Sequence, residues 1–160
     1  RVVQAIDEVM KRADHDGRLI LEVAAGSGKI IGADMNELRR IYDGLFDSSR
    51  VGFGLDTQHM WASGYDFQNN LEGIVSHIES IFGLSNVWCV HLNDSKVGLG
   101  SKRDRHENIG EGMIGKEALT AFLNHPKLSD IPFVLETPAL KEMETAKKEV
   151  NKVKGLLAPL

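Results

Sequence analysis

The chain has 160 residues, 42% of them hydrophobic, and a formal net charge of -4. That content is enough for one soluble unit with a sizeable core, and the charge argues against a nucleic-acid binder working by bulk positive charge. No stretch approaches the roughly 20 apolar residues of a membrane span, and the single cysteine, Cys89, excludes a disulfide framework or thiolate metal knuckle.

Residues 1–11 read as helical, so a start at Arg1 without Met is expected to be a cut rather than a natural beginning. Apolar, β-prone runs occupy 19–23, 51–55, 86–92 and 132–135. Each is followed by a segment with apolar residues at three- and four-residue spacing: 34–46, 70–82, 116–123 and 140–156. Leu38, Ile41, Tyr42 and Leu45 form one such stripe, and Ile74, His77, Ile78 and Ile81 another. Near-continuous apolar runs are expected of parallel strands covered on both faces, and repeated strand-helix units point to an α/β fold. A complete (β/α)8 barrel needs about 250 residues, so four units amount to half of one, a single partial domain over 1–160. A small open α/β sheet has the same element count. Cys89, inside its run, reads as a plain buried thiol.

Each run ends in a potential metal ligand: Glu22, Asp56, His91 and Glu136. In a parallel barrel the C-terminal strand ends meet at one mouth, so the four are expected to surround one ion, with zinc or manganese suited to carboxylate and imidazole. His59, Asp104 and His106 make a second set of three, which leaves a coordination position open. Bound cations would also reverse the local effect of the acidic net charge. Lys96, Lys102, Arg103 and Arg105 punctuate the loop around 97–101 and are the expected phosphate contacts, with Gly26 and Gly28 in a second mouth loop. His15, beside Asp14 and Asp16, is read as a turn residue, and His77 and His125 as structural. Trp61 and Trp88 are read as packing, and the charge run 141–154 as the wet face of a terminal helix.

The motifs Gly54-Leu55-Asp56-Thr57-Gln58-His59, with the trailing Ala62-Ser63-Gly64-Tyr65-Asp66, and His91-Leu92-Asn93-Asp94-Ser95-Lys96, continued through Asp104-Arg105-His106 to Gly112, resemble the signatures of the endonuclease IV family. The likeness runs from Glu22-Val23-Ala24 to Leu135-Glu136-Thr137, and Val23-Ala24 departs from the family's common Asn-Thr. It implies the C-terminal half of a xylose-isomerase-like TIM barrel that cleaves DNA 5′ to abasic sites in base excision repair. It also implies zinc held by Glu22, Asp56, His91 and Glu136, a second zinc by His59, Asp104 and His106, and Glu22 bridging to a third. Glu22 and Glu136 are the residues expected to act catalytically, and the remaining ligands would come from an N-terminal half that this sequence lacks. The isolated chain is therefore expected to be inactive, to self-associate, and to have abasic DNA and the absent half-barrel as partners. The expected setting is intracellular and cytoplasmic, or nuclear or mitochondrial in a eukaryote. The rival is a single-metal sugar isomerase or epimerase of related barrels, which has no need of His59, Asp104 and His106.

Overall fold

A computed structural model of the chain describes residues 1–13 and 16–158, so His15 and its neighbour Asp14 lie outside the described residues. Helix α1 (Val2–Arg12) precedes strand β1 (Leu19–Glu22), helix α2 (Met35–Asp43) and strand β2 (Val51–Asp56). Helices α3 (Thr57–Ser63) and α4 (Leu71–Phe82) follow, then β3 (Val87–His91), the short β4 (Asp94–Ser95) and β5 (His106–Glu107), α5 (Lys116–Leu123), β6 (Phe133–Val134) and α6 (Met143–Lys154). Strands β1, β2, β3 and β6 form a four-stranded parallel sheet in that order, and β4 pairs antiparallel with β5. The expected α/β series of parallel strand-helix units is therefore present, with α3 and the β4–β5 pair as additions.

Local chemistry sets the elements. The Asp34 side chain accepts the Asn36 N–H at 2.9 Å and starts α2, a cap that contributes about 1 kcal/mol. Leu38 from α2 and Ile74, Val75, Ile78 and Phe82 from α4 turn inward, as their spacing requires. Phe53 of β2 stacks on Phe82 with centroids 3.9 Å apart, and each fully buried phenyl is worth about 1.5–3 kcal/mol.

Of the four strands of the parallel sheet only β2 is buried at every position, so the expectation of strands covered on both faces is corrected. Leu21, Phe53, Val90 and Phe133 join the helix-covered core. Alternation turns Ile20, Gly54, Cys89 and Val134 to the other face, where Ile20 is 39% and Val134 46% exposed. Cys89 is accordingly half-buried rather than fully buried. A register shift between Phe53 and Gly54 gives β3 an extra residue, Trp88. Its ring lies where a Cβ on Gly52 would fall, within 2.3 Å, and the Arg18 guanidinium sits 5.0 Å from the ring centroid. The run 141–154 also differs from a purely wet face: Glu149 is buried at 3% exposure and accepts the Ile109 N–H at 2.6 Å.

Candidate metal centre

Glu22, Asp56 and His91 are the last residues of β1, β2 and β3, and parallel pairing brings them to one end of the sheet. Glu136 lies two residues past β6, where its N–H donates to Asn93 Oδ1 at 3.0 Å. The four meet around one imidazole: His91 Nδ1 is 3.2 Å from Glu22 Oε1, 3.3 Å from Glu136 Oε2 and 3.9 Å from Asp56 Oδ2.

His59 reaches the same place from the first turn of α3, which Asp56 caps by accepting the His59 N–H at 2.9 Å. His106 arrives on β5, whose pairing with β4 aims it back at the strand ends. Asp104 stands between them, 3.4 Å from His59 Nε2 and 3.4 Å from His106 Nε2. The two expected sets are contiguous. Asp56 Oδ2 is 3.5 Å from His106 Nε2, 4.0 Å from His59 Nδ1 and 3.9 Å from His91 Nδ1, while Glu22 Oε1 is 3.3 Å from His59 Nδ1. Two groups, Glu22, Asp56 and His91, and Asp56, His59 and His106, each hold their donor atoms within 4.8 Å of one another.

The rings are oriented for coordination. A backbone carbonyl only accepts, so the Nδ1–H of His59 donates to Val23 O at 3.0 Å and that of His106 to Glu136 O at 3.2 Å. That turns both Nε2 atoms toward the carboxylates, and His106 Nε2 is buried without a hydrogen-bond partner although two carboxylates lie within 3.5 Å. A buried imidazole nitrogen left unpaired between two carboxylates fits a cation, and backbone-anchored imidazoles are usual for metal ligands.

The charges reflect how tightly these groups are packed. Burial alone would raise the Glu22 carboxyl, but hydrogen bonds from His59 and His91 outweigh it and bring it down to about 2. Burial works against a charged His59 too, yet the Glu22 hydrogen bond and the Asp56 and Asp104 charges push it up to about 9. The Glu22 hydrogen bond also raises His91, and burial raises Asp56.

Lys96, Arg103 and Arg105 line one cleft of about 410 Å³ together with Ser27, Val97 and Asp104, and Lys102 is exposed outside that lining. A roomier depression of about 710 Å³, bordered by Gln4, Asp7, Lys11, Phe46 and Arg50, includes none of the converging residues. Trp61 is 4% exposed and donates to Val97 O at 2.9 Å, which makes it a packing residue. His125 accepts the Lys127 N–H on Nδ1 and meets Glu72 through Nε2 at 3.2 Å, and it stays structural.

Sequence reasoning assigns no role to Thr57, Gln58, Asn93, Asp94 and Ser95, all buried polar side chains. Asn93 donates to Asp56 Oδ2 at 2.7 Å while holding the Glu136 N–H, so one amide aligns two ligands. Thr57 ties α3 to the end of β3 through the Asn93 N–H and carbonyl. The available signal is polarity directly after an apolar strand, where a buried group needs a partner.

The family model described as xylose isomerase-like TIM barrel matches residues 1–156. The chain belongs to that family. Among its barrel relatives, a "Probable endonuclease 4" of Methanosphaera stadtmanae is 43% identical over 145 residues, covering 91% of this chain and 52% of that protein. One of Alkaliphilus oremlandii is 42% identical over 137 residues, covering 86% and 48%. The crystal structure of endonuclease IV from Thermus thermophilus superposes with a TM-score of 0.83 at 31% identity, over 95% of this chain and 54% of that one. This member of the barrel family thus spans about half the length of the curated relatives it matches, and the expected likeness to endonuclease IV holds. Among the described residues no helix is long and apolar enough to cross a membrane.

Proposed function

We propose that the chain is one part of a zinc-dependent endonuclease that cuts the DNA phosphodiester 5′ to abasic sites. The observation that carries this reading is the orientation of His59 and His106: each ring's Nδ1 lies on a backbone carbonyl, both Nε2 atoms face Asp104, and that of His106 also faces Asp56. Glu22, Asp56, His91 and Glu136 would hold one ion and His59, Asp104 and His106 another, with Asp56 between them. Divalent ions supply Lewis acidity toward a phosphate and its attacking water. The chain's own residues fix the donor directions, keep the Glu22 carboxylate ionised beside the imidazoles, and offer Lys96, Arg103 and Arg105 to the flanking phosphates. DNA as the substrate implies an intracellular setting.

The contiguous second set supports this reading over a single-metal sugar isomerase, where Asp104 and His106 would have no ligand to hold. The likeness to proteins named endonuclease 4 supports the choice of DNA. Because the chain spans about half of those relatives, we propose that it is a single partial barrel domain, inactive alone, whose partner is the other half-barrel. The test compares nicking of an abasic duplex by the 160-residue chain and by the chain extended with the remainder of a barrel, each assayed for bound zinc. Nicking by the extended protein only, abolished by a chelator and restored by zinc, is the expected result. Comparable nicking by both would overturn the half-barrel reading, and none by either with zinc bound would overturn the nuclease.

A further inference from the structure

Residues 102–105 carry Asp104 to the candidate centre, yet every side chain among them is exposed. No apolar anchor fixes that stretch. Lys102 is also held in the left-handed region at φ 55, which costs a non-glycine residue on the order of 1 kcal/mol and persists only where its surroundings hold it.

The holding comes from α3. The Trp61 indole N–H donates to Val97 O, the Gly100 N–H to Trp61 O and the Lys102 N–H to Ala62 O. Nearest the ligand, the fully buried Gln58 side chain donates from Nε2 to Arg103 O at 3.0 Å and to Ser95 Oγ at 3.2 Å, and accepts the Arg105 N–H on Oε1 at 3.2 Å. Its amide thus grips the peptide groups on both sides of Asp104, as a neighbouring strand would. The next residue along the helix is His59, so one short rigid element fixes both ends of the 3.4 Å approach of Asp104 to His59 Nε2.

We propose that Gln58 is a positioning residue for the His59, Asp104 and His106 set, bracing the backbone around Asp104 so that its carboxylate stays between the two imidazoles. The proposal rests on the reading of those three residues as a metal set. Gln58 touches neither ion nor substrate. Without its amide the stretch keeps the Lys96 N–H to Arg105 O bond, the Arg105 guanidinium on Asp104 O and Ser27 Oγ on Lys102 O. It loses the one side chain that clamps the peptides on both sides of Asp104, so its carboxylate is held less firmly between the imidazoles. Glu22, His91 and Glu136 owe nothing to Gln58, and their affinity is unaffected.

The test is a zinc titration of the 160-residue chain against a chromophoric chelator, with Gln58→Met, His106→Ala and the parent compared and the fold monitored by circular dichroism. The parent is expected to bind two classes of zinc. His106→Ala should lose one of them, and Gln58→Met should keep the other at parental affinity while weakening that same class by about 10–100-fold, the usual effect of losing a ligand's supporting partner. If His106→Ala loses a class and Gln58→Met binds both as the parent does, Gln58 has no positioning role and the metal set stands. A loss spread equally over both classes would also overturn the proposal, since Gln58 would then be a general element of the fold. Full stoichiometry in His106→Ala would remove the metal set itself, and the proposal with it. Should Gln58→Met not fold, Gln58→Asn takes its place. It keeps an amide in the pocket but falls one carbon short of both peptide groups, and the same outcomes decide.

Discussion

The N–H of Gly112 donates to the buried carboxylate of Asp94 at 3.0 Å, and a Cβ on Gly112 would lie 2.6 Å from that same carboxylate. Asp94 also accepts the N–H groups of Ser95, Gly110, Ile114 and Gly115, so one side chain gathers the loop that follows β5 and its His106. Gly112→Ala would meet the Ser95 carbonyl at 2.5 Å as well, which the backbone can relieve only by moving. The expected destabilisation is about 1–3 kcal/mol, and about 2–4 kcal/mol for Asp94→Ala, which strands buried N–H donors. Urea denaturation of both variants measures this, and a Gly112→Ala midpoint equal to the parent's would refute the close approach.

Asp56 Oδ2 faces His59, His91 and His106. Replacing Asp56 with Asn should therefore weaken every class of bound zinc, whereas Glu136→Gln should affect the His91 side alone. Metal analysis after dialysis at a series of buffered zinc concentrations separates the two patterns. A variant at Asp56 that lost only one class would mean that the sets are independent.

In the metal-stripped chain, Glu22 is lowered from its ordinary 4.5 to about 2 and His59 raised from its ordinary 6.5 to about 9. The Glu22 contribution is full above 4.5 and is lost as pH falls toward 2. The His59 contribution is full below 6.5 and is lost as pH rises through 9. The stripped chain should thus be most stable between about 4.5 and 6.5 as far as these two groups decide it, and zinc should bind more tightly as pH rises and the imidazoles give up protons. Thermal melts across pH with and without zinc check both signs. A stripped chain that gained stability from about pH 7 to about pH 9 would contradict the raised His59.

Much of the site can be read from the sequence because ligand position and strand end coincide: Glu22, Asp56 and His91 close three apolar runs, and parallel pairing does the rest. Glu136 is legible for the same reason although it stands beyond its two-residue strand. What is not legible is what depends on distant partners. Helix α3 spans only seven residues, and its consecutive polar residues Thr57, Gln58 and His59 give no amphipathic stripe. Asn93, Asp94 and Ser95 look like loop residues because their partners lie 16 to 43 positions away in the pairs that matter most. Cys89 departs from expectation because an apolar run does not reveal which face of a sheet lacks a cover.

Lys96, Arg103 and Arg105 share one cleft. If they meet phosphates, replacing each with Ala should weaken binding of an abasic duplex by the complete barrel and lower the salt slope by about 1 per residue, without altering preference among sequences. Lys102, outside that lining, should have a smaller effect. Fluorescence anisotropy over a range of salt concentrations measures the slopes, and an unchanged slope in the triple variant would remove the cleft from the interface.

Strands β1 and β6 each pair on one side only among the described residues, and the face bearing Ile20 and Val134 is partly bare. Unpaired edges invite pairing with another chain. The isolated chain should associate as its concentration rises, seen as a rising sedimentation coefficient, and a single unchanging monomer species would contradict this.

The glycines of β2 have one more effect. On the uncovered face a Cβ at Gly54 would come within 2.7 Å of Ile20 Cγ2, just as one at Gly52 would strike Trp88. The central strand has ceded its side-chain volume to its neighbours, and that volume is held jointly across the strand pair rather than by either residue. Gly54 and Ile20 therefore act as one energetic unit, in which the effect of changing one depends on the size of the other and the two effects do not add. Enlarging the glycine requires the isoleucine to turn away or shrink, so Gly54→Ala should cost less beside Ile20→Ala than beside Ile20.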